Sequence, residues 1–329
     1  MEFIKFPSIG HFRDLTKKIS RSPERQTVEF SQTVKIHGTN AGISLSTDGT
    51  FGLQSRNRII SAESDNQGFA TWCLQPSRRS ILEQYLKNAL KNYSDKDVGS
   101  PVVQVTMFGE FAGQGIASGV AVNQLPKSFY AFALFFTHED GTVVKTSKIK
   151  DLNIANEGLF NVFLFDHKTV IIDFADPIKT QDAIDNIIKD TLSVEDECSV
   201  GKYFGISGTG EGVVLTSTCG QHCFKSKGEK HSVSKIKTLA PIDSYELLGI
   251  TSFVDDVLTE NRLKQGIDYL NEMNIELDNK AIGSFIKWCQ DDIMREEEDV
   301  IQVKKINIRR VKNEIGKRAK KYLIDAINQ

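Results

Sequence analysis

The chain has few of the residues that mark specialised protein classes. Its 329 residues include 5 cysteines, 7 prolines, 24 glycines and 2 tryptophans, which excludes a disulfide-stapled scaffold, a collagen-like repeat and a low-complexity segment. The longest apolar run, Phe129 to Phe136, is far shorter than the ~20 residues that span a bilayer. No basic and then apolar leader opens the sequence, so we expect a cytoplasmic protein with reduced thiols and no membrane association.

The common nucleotide-binding and hydrolase signatures are also missing. The two Gly-Lys pairs of the chain are followed by Tyr203 and Arg318, where a P-loop has Ser or Thr. Glycine clusters at 113–119 and 208–212 lack the strand–helix–strand unit of a dinucleotide site. No Gly-x-Ser-x-Gly elbow occurs, so an ordinary serine hydrolase has no support. If the protein uses ATP, it does so without the P-loop.

Neither sign of charge predominates, because 41 Lys and Arg stand against 43 Asp and Glu, for a formal net charge of −2. Such a balance argues against a nucleic-acid partner. The average conceals a segregation, however, since 291–299 is strongly acidic and 301–321 is strongly basic. The basic segment is either a solvated helix face paired with those acids, or a surface on which Arg309, Arg310 and Lys312 contact a phosphate backbone.

The hydrophobic pattern divides the chain into two parts, as its length leads us to expect. Residues 1–240 predict an α+β domain built on antiparallel sheets with a few flanking helices, and residues 241–329 predict an all-helical domain. The predicted strands are 27–34, 41–46, 50–53, 102–108, 129–136, 161–165, 212–216 and 222–224, the predicted helices are 80–92, 281–300 and 301–327, and the predicted hairpin turns are Asp48-Gly49 and Asp140-Gly141.

The most informative segment is Thr33-Val34-Lys35-Ile36-His37-Gly38-Thr39-Asn40, at the end of a predicted strand. Lys, His and Asn are poor strand residues, and their crowding within a few positions calls for a reason. A lysine is a covalent nucleophile when its amine is partly neutral, and burial or neighbouring cations favour that state by lowering its pKa. On this segment alone, a surface hairpin turn at His37-Gly38 is the better explanation.

The elements that follow in the chain favour a nucleophilic lysine over a surface hairpin turn. Arg56 comes after the next hairpin, Phe108-Gly109-Glu110-Phe111-Ala112-Gly113 closes a strong strand, and Phe129-Tyr130-Ala131-Phe132 is an aromatic strand. Glu211 opens another strand, and Phe224-Lys225-Ser226-Lys227 places two lysines on one face of the last. In this order the residues resemble the covalent nucleotidyltransferases, which are the ATP-dependent RNA and DNA ligases and the mRNA capping enzymes. Lys-Ile-His-Gly-Thr-Asn and Phe-Gly-Glu-Phe-Ala-Gly are similar to the phage-type RNA ligase 2 branch.

The resemblance covers the whole chain and implies a fold and an activity. The implied architecture is an ATP-grasp-like ligase and capping-enzyme fold over 1–240, followed by a helical RNA-binding domain over 241–329. The implied activity is that of an ATP-dependent RNA ligase, which uses Mg²⁺ or Mn²⁺ and seals 3′-hydroxyl and 5′-phosphate ends through lysyl-AMP and adenylylated RNA. RNA is the implied partner, and we expect a monomer that serves RNA repair, in the host cytoplasm if a phage encodes it.

The resemblance also implies a role for each matching catalytic residue. Lys35 is the implied nucleophile, and Lys225 and Lys227 converge on it, lower its pKa and neutralise charge on the phosphate. His37 acts near the leaving phosphates, and Glu211 holds the metal ion. The competing explanations are lysines that protect an exposed strand edge and a histidine that is merely hydrogen-bonded in a turn.

A second set of matching residues is implied to bind the nucleotide and its metal. Glu110 contacts the ribose or helps to place the metal, and Asn40 orients metal-bound waters. The backbone at Ile36 reads the adenine edge, Arg56 binds ribose or phosphate, and Phe132 stacks on adenine, although a buried core aromatic explains Phe132 almost as well.

One position departs from the pattern of the phage ligases. Ala133 stands where they continue with Asp after the stacking Phe, so a role for that carboxylate is in doubt here. Two other functions compete with RNA ligation. A DNA ligase or capping enzyme usually carries a strand-rich OB-fold after the Lys-x-Lys motif, which the helical pattern of 244–328 disfavours. A non-catalytic nucleic-acid-binding protein is disfavoured by the intact set of charged residues.

Overall fold

The computed structural model has two compact units. One unit is Met1–Ile9 with Gln26–Lys225, and the other is Gly10–Arg25 with Ser226–Gln329. The predicted boundary at 240/241 lies outside the described residues, so the predicted domain limits stay a prediction. The structure describes residues 1–19, 27–94, 98–146, 149, 152, 154–218, 220, 222–231, 250–303 and 306–328.

The first unit is built on two β-sheets. The strands are β1 Thr27–Val34, β2 Thr39–Ser46, β3 Phe51–Ser55, β4 Ile59–Ile60, β5 Val102–Ala112, β6 Ser128–His138, β7 Val143–Thr146, β8 Leu159–Asn161, β9 His167–Asp173, β10 Gly212–Ser217 and β11 Cys223–Lys227. One sheet has the order β11-β10-β1-β9, and the other has the order β4-β3-β2-β5-β6-β7 with β8 beside β6. The β6–β8 pair is parallel and the other described pairings are antiparallel. The predicted α+β class is therefore confirmed.

Helices flank the sheets of the first unit and make up the second. They are α1 Phe12–Ile19, α2 Phe69–Cys73, α3 Pro76–Asn92, α4 Pro177–Asp196, α5 Ser199–Tyr203, α6 Ile250–Val257, α7 Glu260–Glu272, α8 Ile282–Glu296, α9 Glu298–Val303 and α10 Ile308–Ile327. Leu82 and Leu86, one turn apart on α3, are fully buried in the core of the larger sheet. No helix of the described part is long and apolar enough to cross a membrane, and its four cysteines are free thiols.

The prediction of local structure was partly wrong between residues 161 and 203. The predicted strand at 161–165 is instead a short 3₁₀ turn at Val162–Leu164, because its apolar side chains fill the core cluster beside β6 without pairing in a sheet. The strand β9 and the helix α4 were missed. The two predicted hairpin turns are confirmed, since backbone hydrogen bonds close both of them and the side chains of Asp48 and Asp140 accept N–H groups within the turns.

The C-terminal residues form a helical core, as predicted. Val311, Ile315, Ala319 and Leu323 lie at intervals of four along α10 and are fully buried. The single helix predicted over 301–327 is divided in the structure, because the side chain of Asn307 accepts the backbone N–H of Arg310 (3.1 Å) and begins α10 there.

A fully buried arginine joins the helices of this second unit. Arg262 donates to the carbonyl of Val257 (2.6 Å) and forms ion pairs with Asp292 (3.0 Å) and Glu297 (3.6 Å), both of which are nearly inaccessible to solvent. Removing one partner of a buried ion pair leaves an uncompensated charge. Arg262→Met should therefore lower the free energy of unfolding of this unit by about 3–5 kcal/mol.

The fluorescence of Trp288 during urea unfolding measures this loss, in a Trp72→Phe background that leaves Trp288 as the sole tryptophan. Lys264→Met is the control, because Lys264 is on the same helix and its pair with Glu260 is exposed. If the two variants unfold at the same urea concentration, the buried ion pairs do not stabilise this unit.

Candidate active site

The predicted motif forms a short connection between β1 and β2. Residues 35–37 lie outside both strands, and the backbone N–H of Lys35 donates to the carbonyl of Gly212 at the start of β10 (2.8 Å). Gly38 passes so close to β5 that an added Cβ would lie 2.3 Å from the carbonyl oxygen of Phe111. Position 38 therefore requires glycine, and the close approach places Lys35 where the two sheets are linked.

A single carboxylate oxygen brings together three of the predicted catalytic residues. Lys35 Nζ lies 2.6 Å from Glu211 Oε2, and His37 Nδ1 lies 3.1 Å from the same oxygen. Glu211 is 2% exposed, whereas the side chains of Lys35 and His37 are 18% and 30% exposed. The buried carboxylate, 176 positions away from Lys35 in the sequence, thus holds an amine and an imidazole that are both only partly exposed.

Local backbone geometry directs Glu211 towards the motif. Gly212 directly after it has φ of +136°, in a region that favours glycine because a Cβ is strained there. The carbonyl of this same glycine accepts the N–H of Lys35. Gly212 therefore sets the backbone direction from which the Glu211 carboxylate extends, and its carbonyl anchors the segment that carries Lys35.

Glu110 and Asn40 lie beside this cluster on neighbouring strands. They are register partners across β5 and β2, so their side chains face the same side of the sheet. Glu110 Oε1 accepts the backbone N–H of Gly38 (3.2 Å). Asn40 Oδ1 is buried and has no hydrogen-bond partner among the described residues. An unpaired buried amide oxygen is costly unless something binds it.

The charge balance around Lys35 differs from the expectation. Desolvation by burial lowers the pKa of its amine, but the charges of Glu211 and Glu110 outweigh that effect and raise the pKa above its ordinary value, against a smaller opposing effect of Arg56. The expected lowering of the Lys35 pKa is therefore wrong for the protein by itself. Burial likewise raises the pKa of Glu110, and the charge of Lys35 opposes that rise.

The predicted nucleotide-contact residues occupy different settings. Arg56 is exposed after β3, close enough for its charge to act on Lys35 and Glu110. The side chain of Ile36 is buried in the core, so only its backbone remains available to a ligand.

Phe132 is half-buried, and its ring meets that of Phe6 edge-on at 5.0 Å. It is the extra residue of a bulge between β5 and β6, a device that often redirects a side chain beside an active site. Ala133 packs against the apolar cluster of Ile4, Phe108 and Phe135, where a carboxylate would be unfavourable.

The remaining predicted residues lie on β11 and α10. Lys225 and Lys227 share the half-exposed face of β11, as predicted, but their convergence on Lys35 stays a prediction. Arg309 and Arg310 are exposed at the start of α10, and Lys312 is half-buried.

Sequence reasoning missed two backbone contacts that assemble the site. These are the N–H of Gly38 with Glu110 and the carbonyl of Gly212 with Lys35. The two glycines, each adjoining a motif residue, were the available signal. Among the described residues, no group of three or more His, Cys, Asp and Glu could hold a metal ion.

Comparisons with known proteins give one family model and several solved structures that are similar to this chain. A family model described as RNA ligase matches residues 28–236. Among solved structures, an RNA ligase of Naegleria gruberi, as a lysine-to-alanine mutant with ATP and Mn, is 18% identical with a TM-score of 0.45, and the match covers 70% of this chain and 58% of that one. The same ligase with PPi is 16% identical with a TM-score of 0.44 and coverages of 70% and 57%. The chain thus matches less than two thirds of the length of those ligases.

Proposed function

This chain belongs to the RNA ligase family, and on that premise we propose that it is an ATP-dependent RNA ligase that works through a covalent lysyl-AMP intermediate at Lys35. The observation that supports this most strongly is the cluster of Lys35, His37 and buried Glu211, which places a partly exposed lysine amine beside carboxylates. A lysine in such a setting is suited to nucleophilic attack once it loses its proton.

The proposed reaction has three steps. The Lys35 amine attacks the α-phosphorus of ATP, so that an N–P bond forms, the bond from the α-phosphorus to the bridging oxygen breaks, and pyrophosphate leaves. The AMP then moves to the 5′-phosphate oxygen of RNA, and the lysine amine is regenerated. Finally the RNA 3′-hydroxyl attacks that 5′-phosphate, and AMP leaves as the strand is joined.

The residues around Lys35 suit this sequence of steps. Glu211 holds the Lys35 amine in one place, and His37 contacts the same carboxylate oxygen; a fixed amine loses less entropy on reaching the reactive geometry. Arg56 lies near enough to bind the ribose or a phosphate, and the partly exposed Phe132 offers an aromatic face to adenine. Lys225 and Lys227 would stabilise charge on the phosphates.

The donor set fits a divalent ion such as Mg²⁺. Glu211, Glu110 and the unpartnered Oδ1 of Asn40 are hard oxygen donors, which Mg²⁺ prefers together with water and substrate phosphates. When bound, the ion would offset the negative charge that raises the pKa of Lys35 and would polarise the α-phosphate. The same residues suit Mn²⁺.

The helical second unit supports RNA over other substrates. Enzymes with an OB-fold after the Lys-x-Lys motif should show strands there, yet the described elements from 250 onward are all helices. We expect nicked duplexes with an RNA 3′-hydroxyl strand to be sealed at least ~10-fold faster than those with DNA, because the terminal 2′-hydroxyl distinguishes the two. Gel analysis of matched nicks measures this ratio, and equal rates would remove the basis for an RNA assignment.

The basic start of α10 is the proposed binding surface for the RNA backbone. Two of the acids of α8 are engaged elsewhere, since Asp292 pairs with Arg262 and Glu296 pairs with His11. Arg309 and Arg310 have no ion pair with a described carboxylate. These cations are therefore available to phosphates.

Replacing Arg309, Arg310 and Lys312 together by Gln should flatten the dependence of nick binding on salt. Each phosphate that the protein no longer neutralises reduces the slope of log K against log salt concentration by about 0.9. Lysyl-AMP formation should be unchanged, because these residues lie outside the Lys35 cluster. Fluorescence anisotropy over a salt series measures the slope, and the matched control is Gln at Lys87, Lys91 and Lys189, which are exposed on other helices. A slope equal to that of the control would mean that the start of α10 is a solvated helix face that does not bind the RNA backbone.

A further inference from the structure

The short segment that ends at Glu211 is fixed by backbone hydrogen bonds. The carbonyl of Gly208 accepts the backbone N–H of Cys198 (2.8 Å), and the N–H of Gly210 donates to a carbonyl of α4 (2.9 Å). These bonds hold the segment against the helical side of the unit. They account for two of the three residues that directly precede Glu211.

That remaining residue is Thr209. Its hydroxyl donates to the carbonyl of Gly119 (2.7 Å), and its own carbonyl accepts the N–H of Ala121 (2.9 Å). Gly119 and Ala121 follow β5, which is the strand that carries Glu110. Thr209, two residues before Glu211, therefore links that segment with the chain that follows β5.

This link also explains the two glycine clusters that lack the context of a dinucleotide site. The clusters at 113–119 and 208–212 are remote in the sequence, and in the structure the second meets the end of the first through Thr209. Gly208 lies close to Ala121, 3.1 Å from an added Cβ to the Ala121 Cβ, and the threonine hydroxyl supplies the one side-chain hydrogen bond that the described residues show between the two clusters. Their role is thus to support the site.

We propose that Thr209 is a positioning residue for Glu211, and that its hydroxyl fixes the placement of the Glu211 carboxylate relative to the Lys35 amine. This inference rests on the proposed function, since Glu211 and Lys35 form its central pair. Reaction rates fall steeply when a reacting group is displaced, by about a hundredfold for a shift of about 1 Å. Losing one of the two hydrogen bonds between the segments should displace the Glu211 carboxylate by less than about 1 Å.

Thr209→Val removes the hydroxyl and keeps the shape, while Thr209→Ser keeps the hydroxyl. We expect the single-turnover rate constant of lysyl-AMP formation to fall about tenfold in Thr209→Val, with the half-saturating ATP concentration unchanged within about twofold. Thr209→Ser should recover at least half of the wild-type rate constant. The matched control is Thr180→Val, since the Thr180 hydroxyl also donates to a backbone carbonyl, that of Asp173 (2.6 Å), at the start of α4.

Hydrogen exchange of the backbone provides a readout that does not require activity. Amides of residues 208–212 should exchange faster in Thr209→Val than in wild type, and at the wild-type rate in Thr180→Val. The proposal is overturned if Thr209→Val keeps the wild-type rate constant, if Thr209→Ser loses as much as Thr209→Val, or if Thr180→Val loses as much. If the wild-type chain forms no lysyl-AMP, the proposed function fails. The exchange comparison then decides separately whether Thr209 holds this segment.

Discussion

Replacing Lys35 by Arg should abolish the covalent labelling of the protein by ATP. Arginine keeps the positive charge and can still pair with Glu211, but its guanidinium remains protonated and does not act as a nucleophile. We expect lysyl-AMP formation below about one thousandth of the wild-type rate. Labelling with α-³²P-ATP and Mg²⁺, followed by denaturing electrophoresis, measures it.

The design separates loss of the nucleophile from loss of structure. Lys168→Arg is a matched control, because Lys168 also pairs with a carboxylate, that of Asp190 (2.5 Å), in the same unit. It should be labelled like the wild type. A nick that already carries 5′-AMP needs no lysine nucleophile, so Lys35→Arg should still seal it within about tenfold of the wild-type rate. Label that persists in Lys35→Arg would place the nucleophile elsewhere.

Replacing Glu211 by Gln should slow the formation of lysyl-AMP and, in a separate assay, should make the Lys35 amine more reactive. The rate of lysyl-AMP formation should fall by about a hundredfold, because a buried charge aimed at the reacting centre is lost. In EDTA, by contrast, the Lys35 amine should react faster with an amine-modifying reagent at pH 8. Glu211 raises the Lys35 pKa, so removing its charge lowers that pKa and increases the neutral, reactive fraction.

Mass spectrometry of the modified Lys35 peptide measures the second effect. Glu197→Gln is the control, since Glu197 pairs with Lys202 (3.4 Å) at an exposed site. It should change neither the rate of lysyl-AMP formation nor the reactivity of Lys35. If Glu211→Gln leaves Lys35 equally reactive towards the reagent, Glu211 does not control the protonation of Lys35.

Local signals in the sequence were sufficient for most of the first unit. The bounds of β1 were predicted as observed, because β-branched and apolar residues alternate there with polar ones. The prediction failed where burial alone explains the apolar residues, as at Val162–Leu164. It also failed at β9, where the β-branched residues 169–172 do not alternate with polar ones and four of the seven residues are exposed. The helix α4 had a usable signal in Asp176-Pro177, since the Asp176 side chain accepts the first helical N–H groups.

The members of the candidate site were predictable, whereas their arrangement was not. A motif identifies Lys35 and Glu211 separately, but the 2.6 Å distance between Nζ and Oε2 depends on β1 pairing with β10. The direction of the Lys35 pKa depends on the same ion pair, and for that reason the expectation of a lowered pKa failed. The proposed role of Thr209 rests on a hydrogen bond to Gly119, 90 positions away, that exists only in the folded chain.

The central claim is that lysyl-AMP at Lys35 lies on the path to joined RNA. It is tested most directly by labelling the protein with α-³²P-ATP, removing free ATP, and adding a nicked RNA duplex with a 5′-phosphate. We predict that the label leaves the protein, appears on the RNA 5′ end and is then released as AMP, with one sealed strand for each labelled protein. Label that remains on the protein while strands are sealed, or strands that stay open while the label is lost, would contradict the account.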